Sequence, residues 1–384
     1  MKSSISKAKP PTPLKIGLVL DDSLDRQDGV QQYVRSLGGW LAAQGHTVHY
    51  LAGESRGDGK TVHSLSRNVA VRFNRNRLTI PLPASNRTIR RLLTAERYDV
   101  LHVQLPHSPF MAGKIIKAAP VSTAVVGTFH ILPFGRLQRA GSKALGLVQR
   151  GDMRRLDAAC SVSPAAADFA YSHFGLASIV IPNMVDLQPF NSRLHPHPGR
   201  LVFLGRLVPR KGCREFLAAV AALPAELRGS LEILIAGDGA QRRQLEAFAR
   251  QHGLPNVIFL GRVSEDHKAS LLASAALAVF PSLGGESFGI VLIEAMAAGA
   301  GVVLGGNNPG YQSVLADWPE TLIEPRDTIA FAASLQQFLT NLPLCQRLHA
   351  AQQQHVKRYD TGVVGQEIMT MYREALLHRR PGMR

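Results

Sequence analysis

Cysteine is nearly absent: Cys160, Cys213 and Cys345 are the only three in 384 residues. An odd number of scattered thiols without metal-ligand spacing excludes a disulfide framework and a zinc-ribbon type of site, and makes a reducing compartment the simple inference. Aromatic residues are also scarce, at 6% of the chain, which counts against a surface built for stacking on nucleic acid bases. Long apolar runs are missing. Met1 to Pro13 is broken by Pro10, Pro11 and Pro13, and the run Ile16 to Leu20 is too short for a signal-peptide core, so the start reads as a loose tail leading into a strand. The nearest approach to a membrane span, Gly289 to Gly306, has Glu294 as its only charge but is interrupted by glycine, and reads as a buried helix followed by a buried strand. Acidic residues are outnumbered, 28 against 44 Lys and Arg, for a formal charge of +16. That excess points to an anionic partner, whether nucleic acid, a phospholipid surface or a phosphorylated substrate.

What is present is a rhythm of short buried strands separated by helical segments. Leu14 to Leu20, Val48 to Ala52, Tyr98 to Val103, Ser122 to Thr128 and Ala158 to Val162 carry it in the first half, with an amphipathic helix from about Gly29 to Gln44. It restarts at Arg200 to Gly205 and continues through Leu231 to Ala236, Val257 to Leu260, Leu277 to Phe280 and Gly301 to Leu304. Pro189 to Pro198, rich in Pro and His, reads as the linker. The expectation is an α/β protein of two Rossmann-like, doubly wound domains facing across a cleft, with domains at 14–188 and 199–360. Residues 361–384 form a last helical segment expected to cross back onto the first domain.

The candidate chemistry lies at strand ends. Gly284-Gly285-Glu286-Ser287-Phe288-Gly289 opens into the apolar stretch Ile290 to Ala298, placing Glu286 at the mouth of a helix and Glu294 about two turns on, on nearly the same face. Carboxylates in so apolar a setting read as ligand-gripping groups. In Leu204 to Gly212, Arg206 offers a guanidinium fork and Lys211 a point charge, which suits a diphosphate leaving group. Asp28-Gly29-Val30-Gln31 starts the first long helix and forms a second anion seat. His130 ends a strand at Thr128-Phe129-His130; a lone His there is more often structural than functional. Gly237-Asp238-Gly239 begins like a dinucleotide fingerprint, but Arg242 stands where the third glycine belongs, which argues against NAD. Ile181 to Asp186 reads equally as a turn or a base-contacting loop. No Asp-x-Asp pair follows a strand to carry a metal, so no metal ligand is assigned and cations must neutralise any leaving group. Arg72, Arg75, Arg77, Arg87, Arg90 and Arg91 crowd into one part of the first domain, and Asn86 to Leu93 reads as a basic amphipathic helix of the membrane-surface kind, with nucleic acid as its competitor.

These residues resemble the retaining glycosyltransferases of the two-domain GT-B fold that carry an E-x7-E motif (glycosyltransferase family 4), here Glu286 and Glu294. The run Gly284 to Gly299 and the Thr128-Phe129-His130 strand end are most similar to the actinobacterial phosphatidylinositol mannosyltransferases. The resemblance covers most of the chain. It implies GDP-mannose as the sugar-nucleotide donor, no required cofactor or metal, phosphatidylinositol or a related anionic lipid as acceptor, and a cytoplasmic enzyme peripheral at the inner face of the cell membrane. It further implies that Glu286, Ser287, Phe288, Gly289 and Ile290 hold the donor sugar, Glu294 the ribose, and Arg206 and Lys211 the diphosphate. His130 would lie beside the transferred sugar, Gly29 under the phosphates and Gln31 toward the acceptor. Asp28-Gly29 replaces the usual Gly-Gly, and Met184 a common Gly.

Overall fold

The computed structural model describes residues 12–26, 28–57, 60–73, 76–130, 146, 149, 151–190 and 195–379. Two parallel sheets organise it. In chain order the first half gives β1 (Lys15–Leu20), β2 (Thr47–Ala52), β3 (Val62–Ser64), β4 (Asn68–Phe73), β5 (Asn76–Pro81), β6 (Val100–Gln104), β7 (Ala124–Phe129), β8 (Ala158–Ser161) and β9 (Ile179–Val180). The second half gives β10 (His197–Leu204), β11 (Glu232–Ala236), β12 (Val257–Gly261), β13 (Ala275–Phe280), β14 (Val302–Gly306) and β15 (Leu322–Ile323). The sheet orders are β3-β2-β1-β6-β7-β8-β9 and β12-β11-β10-β13-β14-β15. Runs such as Val-Leu-His-Val-Gln in β6 are buried throughout because helices cover both faces of a parallel sheet. Each sheet reverses its winding next to its first strand, between β1 and β6 and between β10 and β13. Loops leaving the carboxyl ends of those four strands therefore splay apart and leave a crevice.

One piece departs from the parallel pattern. β4 and β5 form a separate antiparallel pair, with Arg72 opposite Arg77 in the register. Arg75 lies outside the described residues.

Three helices of the first half carry candidate residues or hold them in place: α1 (Gly29–Ala43), α2 (Asn86–Glu96) and α3 (Met111–Ala118). Ser85 caps α2 by accepting from the Thr88 N–H, and Arg97 closes it in the left-handed region at φ 50°. The C-terminal helix Thr361–Arg379 packs Val364, Ile368, Met371 and Tyr372 into the core beneath α1 and β7, and the Tyr372 hydroxyl meets His102 Nδ1 at 2.7 Å. The chain crosses between halves where Val185 bridges Asp360, with Val185 N donating to Tyr359 O. Among the described residues no helix is long and apolar enough to cross a membrane.

Candidate active site

Glu286 sits in the loop between β13 and the helix Ile290–Ala298, four residues before that helix begins. The expectation that it shares a helical face with Glu294 is therefore corrected; the glycines at 284, 285 and 289, all with positive φ, keep this stretch out of the helix. Its Oε1 accepts from Arg210 Nη1 at 2.7 Å, Lys211 Nζ at 2.9 Å and Ser282 Oγ at 2.7 Å. Burial pushes this carboxyl up, but Lys211 and Arg210 overcome that and hold it at about 2. Its backbone lies hard against the next helix: a Cβ on Gly310 would come within 2.1 Å of Glu286 O. Sequence reasoning misses Arg210 and Ser282, because nothing local distinguishes them in a chain full of Arg and Ser.

Lys211 is mostly buried and its ammonium is disfavoured by that burial, with Glu286 opposing. Arg206 is exposed, and its charge feels Arg210 on its own loop, Glu286, and Asp28 and Arg26 from the opposite half. Arg206, Arg210 and Lys211 against Glu286 leave this loop pair with an excess of two positive charges. Asp28 is neutralised by Arg26 Nη2 at 2.8 Å. It makes no side-chain cap on α1, so the first N–H groups of that helix are left without one. A Cβ on Gly29 would meet Ile290 Cδ1 at 3.1 Å, so the starts of α1 and of the helix Ile290–Ala298 approach each other. Two helix N-termini and a cationic loop thus lie close together, an arrangement that favours a polyanion.

Glu294 is buried and anchored: Lys268 Nζ donates to its Oε1 at 2.7 Å and Gln32 Nε2, from α1, at 2.6 Å. Lys268 also pairs with Glu265. A further contact between halves is Ser163 Oγ donating to the Ser287 carbonyl. Phe288 corrects an expectation: its ring is 2% exposed and packs edge-on to Tyr359 at 5.5 Å, a core residue that leaves only its backbone for a ligand. Gln31 is corrected too. It is buried, with Nε2 donating to Asp22 Oδ2 at 3.0 Å, and shapes the loop after β1 without presenting its amide outward. Gly289, at φ 115°, caps the helix, and a Cβ there would strike Tyr311.

His130 closes β7 and is 5% exposed. Nε2 meets Gln104 Oε1 at 2.7 Å, and the ring lies edge-on to Tyr33 at 4.8 Å. Burial lowers it to about 3, so it is a neutral imidazole at physiological pH. Asp21, at the end of β1, accepts from Ala112 N at the start of α3, and burial raises it to about 6. Arg87, Arg90 and Arg91 stand exposed on α2, whose other face buries Ile89 and Leu93.

Residues 27–189 match the family described as Glycosyltransferase Family 4, and residues 185–355 match Glycosyl transferases group 1. A phosphatidyl-myo-inositol mannosyltransferase of Mycolicibacterium smegmatis is 34% identical, over 94% of this chain and 93% of that protein. One from Mycobacterium leprae is 32% identical over 94% and 96%. Among solved structures, sucrose-phosphate synthase from Thermosynechococcus elongatus superposes with a TM-score of 0.76 at 20% identity, covering 95% of this chain and 100% of that one. This likeness is one of fold: two parallel-sheet α/β domains in the GT-B arrangement.

Proposed function

We propose that this chain, which belongs to the family 4 glycosyltransferases of the GT-B fold, transfers mannose from GDP-mannose to the headgroup of phosphatidylinositol or a related anionic lipid. The reaction retains anomeric configuration and takes place on the inner face of the cell membrane. The observation that carries the reading is the three-donor grip on Glu286 in a cationic loop beside two helix starts. The names of the relatives support the choice of sugar and acceptor. Residues 14–188 serve as the acceptor and membrane half, 199–360 as the donor half, and 361–384 as the returning segment.

In this reading Glu286 is an anchor for sugar hydroxyls. A carboxylate held at about 2 and already bound by three donors is a poor nucleophile and a poor base. The excess of two positive charges from Arg206, Arg210 and Lys211 matches a diphosphate, so the leaving group is neutralised without a divalent ion. Backbone N–H groups around Ser287, Gly289 and Ile290 and at Gly29 complete the seat. Glu294 accepts from the ribose, replacing Gln32. The acceptor oxygen attacks the face the phosphate leaves, the C–O bond to phosphate breaks, and a phosphate oxygen takes the acceptor proton. Neutral His130, held by Gln104, borders the sugar as a hydrogen-bonding wall. Arg87, Arg90 and Arg91 hold the enzyme at the lipid surface.

Glu286→Ala, checked for an unchanged circular dichroism spectrum, tests the assignment. Transfer is expected to fall at least about 100-fold. Unchanged turnover in a folded variant would remove Glu286 from the site.

A further inference from the structure

Outside the crevice, three metal-ligating side chains from distant points in the sequence meet on one face of the first sheet. His63 of β3 is level with Leu51 of β2, so His49, two residues before Leu51, points to the same side. Leu51 packs on that side with Ile89 and Leu93 of α2. The last residue of α2, Glu96, is thereby lowered onto the pair. His63 Nε2 lies 3.0 Å from His49 Nδ1, and Glu96 Oε2 lies 3.7 Å from the same Nδ1. The three ligand atoms all fall within 4.8 Å of one another.

His49 Nδ1 also has the Tyr98 hydroxyl at 3.0 Å. One imidazole nitrogen has a single proton or a single lone pair, yet a phenol hydroxyl, a second imidazole nitrogen and a carboxylate converge on it. A cation among them resolves that crowding. Tetrahedral zinc with bonds of 2.0–2.1 Å sets its ligands roughly 3.3 Å apart, which falls between the two observed separations. We infer that His49, His63 and Glu96 form a binding site for a divalent transition metal of the zinc class, with water in the fourth position. Imidazole and carboxylate are the ligand types such an ion takes. The ion reaches it through the cavity of about 460 Å³ that His63 lines together with Arg91, Leu92 and Ala95. Lys15 Nζ, 2.5 Å from the same Glu96 oxygen, competes with the metal for the carboxylate. Occupied, the site clamps β2, β3 and the end of α2, and so fixes the helix that carries Arg87, Arg90 and Arg91.

The test is cobalt and zinc titration of the full-length, tag-free, chelator-treated protein. One equivalent of Co²⁺ is expected to give the visible absorption of a four-coordinate ion, and one equivalent of Zn²⁺ to bleach it. His63→Ala and Glu96→Gln should weaken uptake by more than roughly 100-fold, beyond what loss of an outer hydrogen-bond partner costs. Lys15→Met, which removes only a half-exposed competitor, should tighten it. Absence of the cobalt absorption in the unaltered protein overturns the proposal. So does uptake that is the same in the unaltered, His63→Ala and Lys15→Met proteins, because the ion then binds elsewhere.

Discussion

Gly310→Ala separates local propensity from the packing of the Glu286 loop, since the two predict opposite signs. Gly310 is the second residue of the helix Pro309–Leu315, and its φ is not in the left-handed region. By helix propensity alone, alanine there stabilises by about 0.5–1 kcal/mol. The new methyl carbon, however, would stand 2.1 Å from the Glu286 carbonyl oxygen, 2.5 Å from its carbon and 3.0 Å from its Cβ. Backbone cannot swing aside as a side chain does, so the Glu286 segment must retreat by about 1 Å, at a cost of roughly 1–3 kcal/mol. A displacement of that size at a group proposed to position the sugar costs about 100-fold in rate. The measurement is kcat/KM for sugar transfer beside the thermal midpoint. The expected result is a folded protein, slightly less stable, with transfer down about 100-fold. Gly39→Ala is the control: it lies on the exposed side of α1 with nothing within 4 Å of the added carbon, so it should stabilise slightly and leave transfer alone. A Gly310→Ala enzyme as fast and as stable as the unaltered one would mean that the Glu286 segment yields freely, and that its packing does not position the carboxylate.

Glu294→Gln removes the charge that Lys268 and Gln32 share; a hydrogen bond to a charged group is worth about 1.5–3 kcal/mol, so KM for the donor should rise by roughly 10- to 150-fold with a smaller change in kcat. Stability should depend on pH through two carboxyls of opposite sense. Glu286, held at about 2 against an ordinary 4.5, contributes about 3 kcal/mol that is present above pH 4.5 and lost as pH falls toward 2. Asp21, raised to about 6 from 3.8, binds its proton more tightly in the fold, so stability declines by about 3 kcal/mol as pH rises from about 4 to 6. Scanning calorimetry of Asp21→Asn should show that decline abolished. Replacing Arg87, Arg90 and Arg91 together by Ser should cost about 3 kcal/mol, roughly 100-fold, in partitioning to anionic vesicles at low salt; an unchanged sedimentation profile would contradict the membrane role proposed for α2.

Much of the fold is legible in the chain because it is local. Strands of a parallel sheet are continuous apolar runs, and the glycines flanking Glu286 announce a loop that must approach something closely. Pairing across the fold is not legible. Arg210 and Ser282, the partners of Glu286, carry no signal that distinguishes them from their neighbours, and the Gln32 amide reaches Glu294 across 262 residues. Phe288 reads as part of a ligand loop, yet turns inward because Tyr359 offers it a packing surface. The β4–β5 pair has a strand signal in the alternation of Val69, Val71 and Phe73, which the arginines around it obscure. His49, His63 and Glu96 have no recognisable spacing, because their meeting depends on the β2–β3 register and on the length of α2.

Donor and acceptor can be read in a single assay, in which the purified protein is incubated with labelled GDP-mannose, UDP-glucose or UDP-N-acetylglucosamine and vesicles containing phosphatidylinositol or diacylglycerol, and label is followed into the lipid. Label should pass from GDP-mannose alone, to phosphatidylinositol and not to diacylglycerol, with an α-linked product. Transfer from a uridine nucleotide would keep the fold and the Glu286 site but overturn the donor, and no sugar transfer from any of the three would contradict the mannosyltransferase reading.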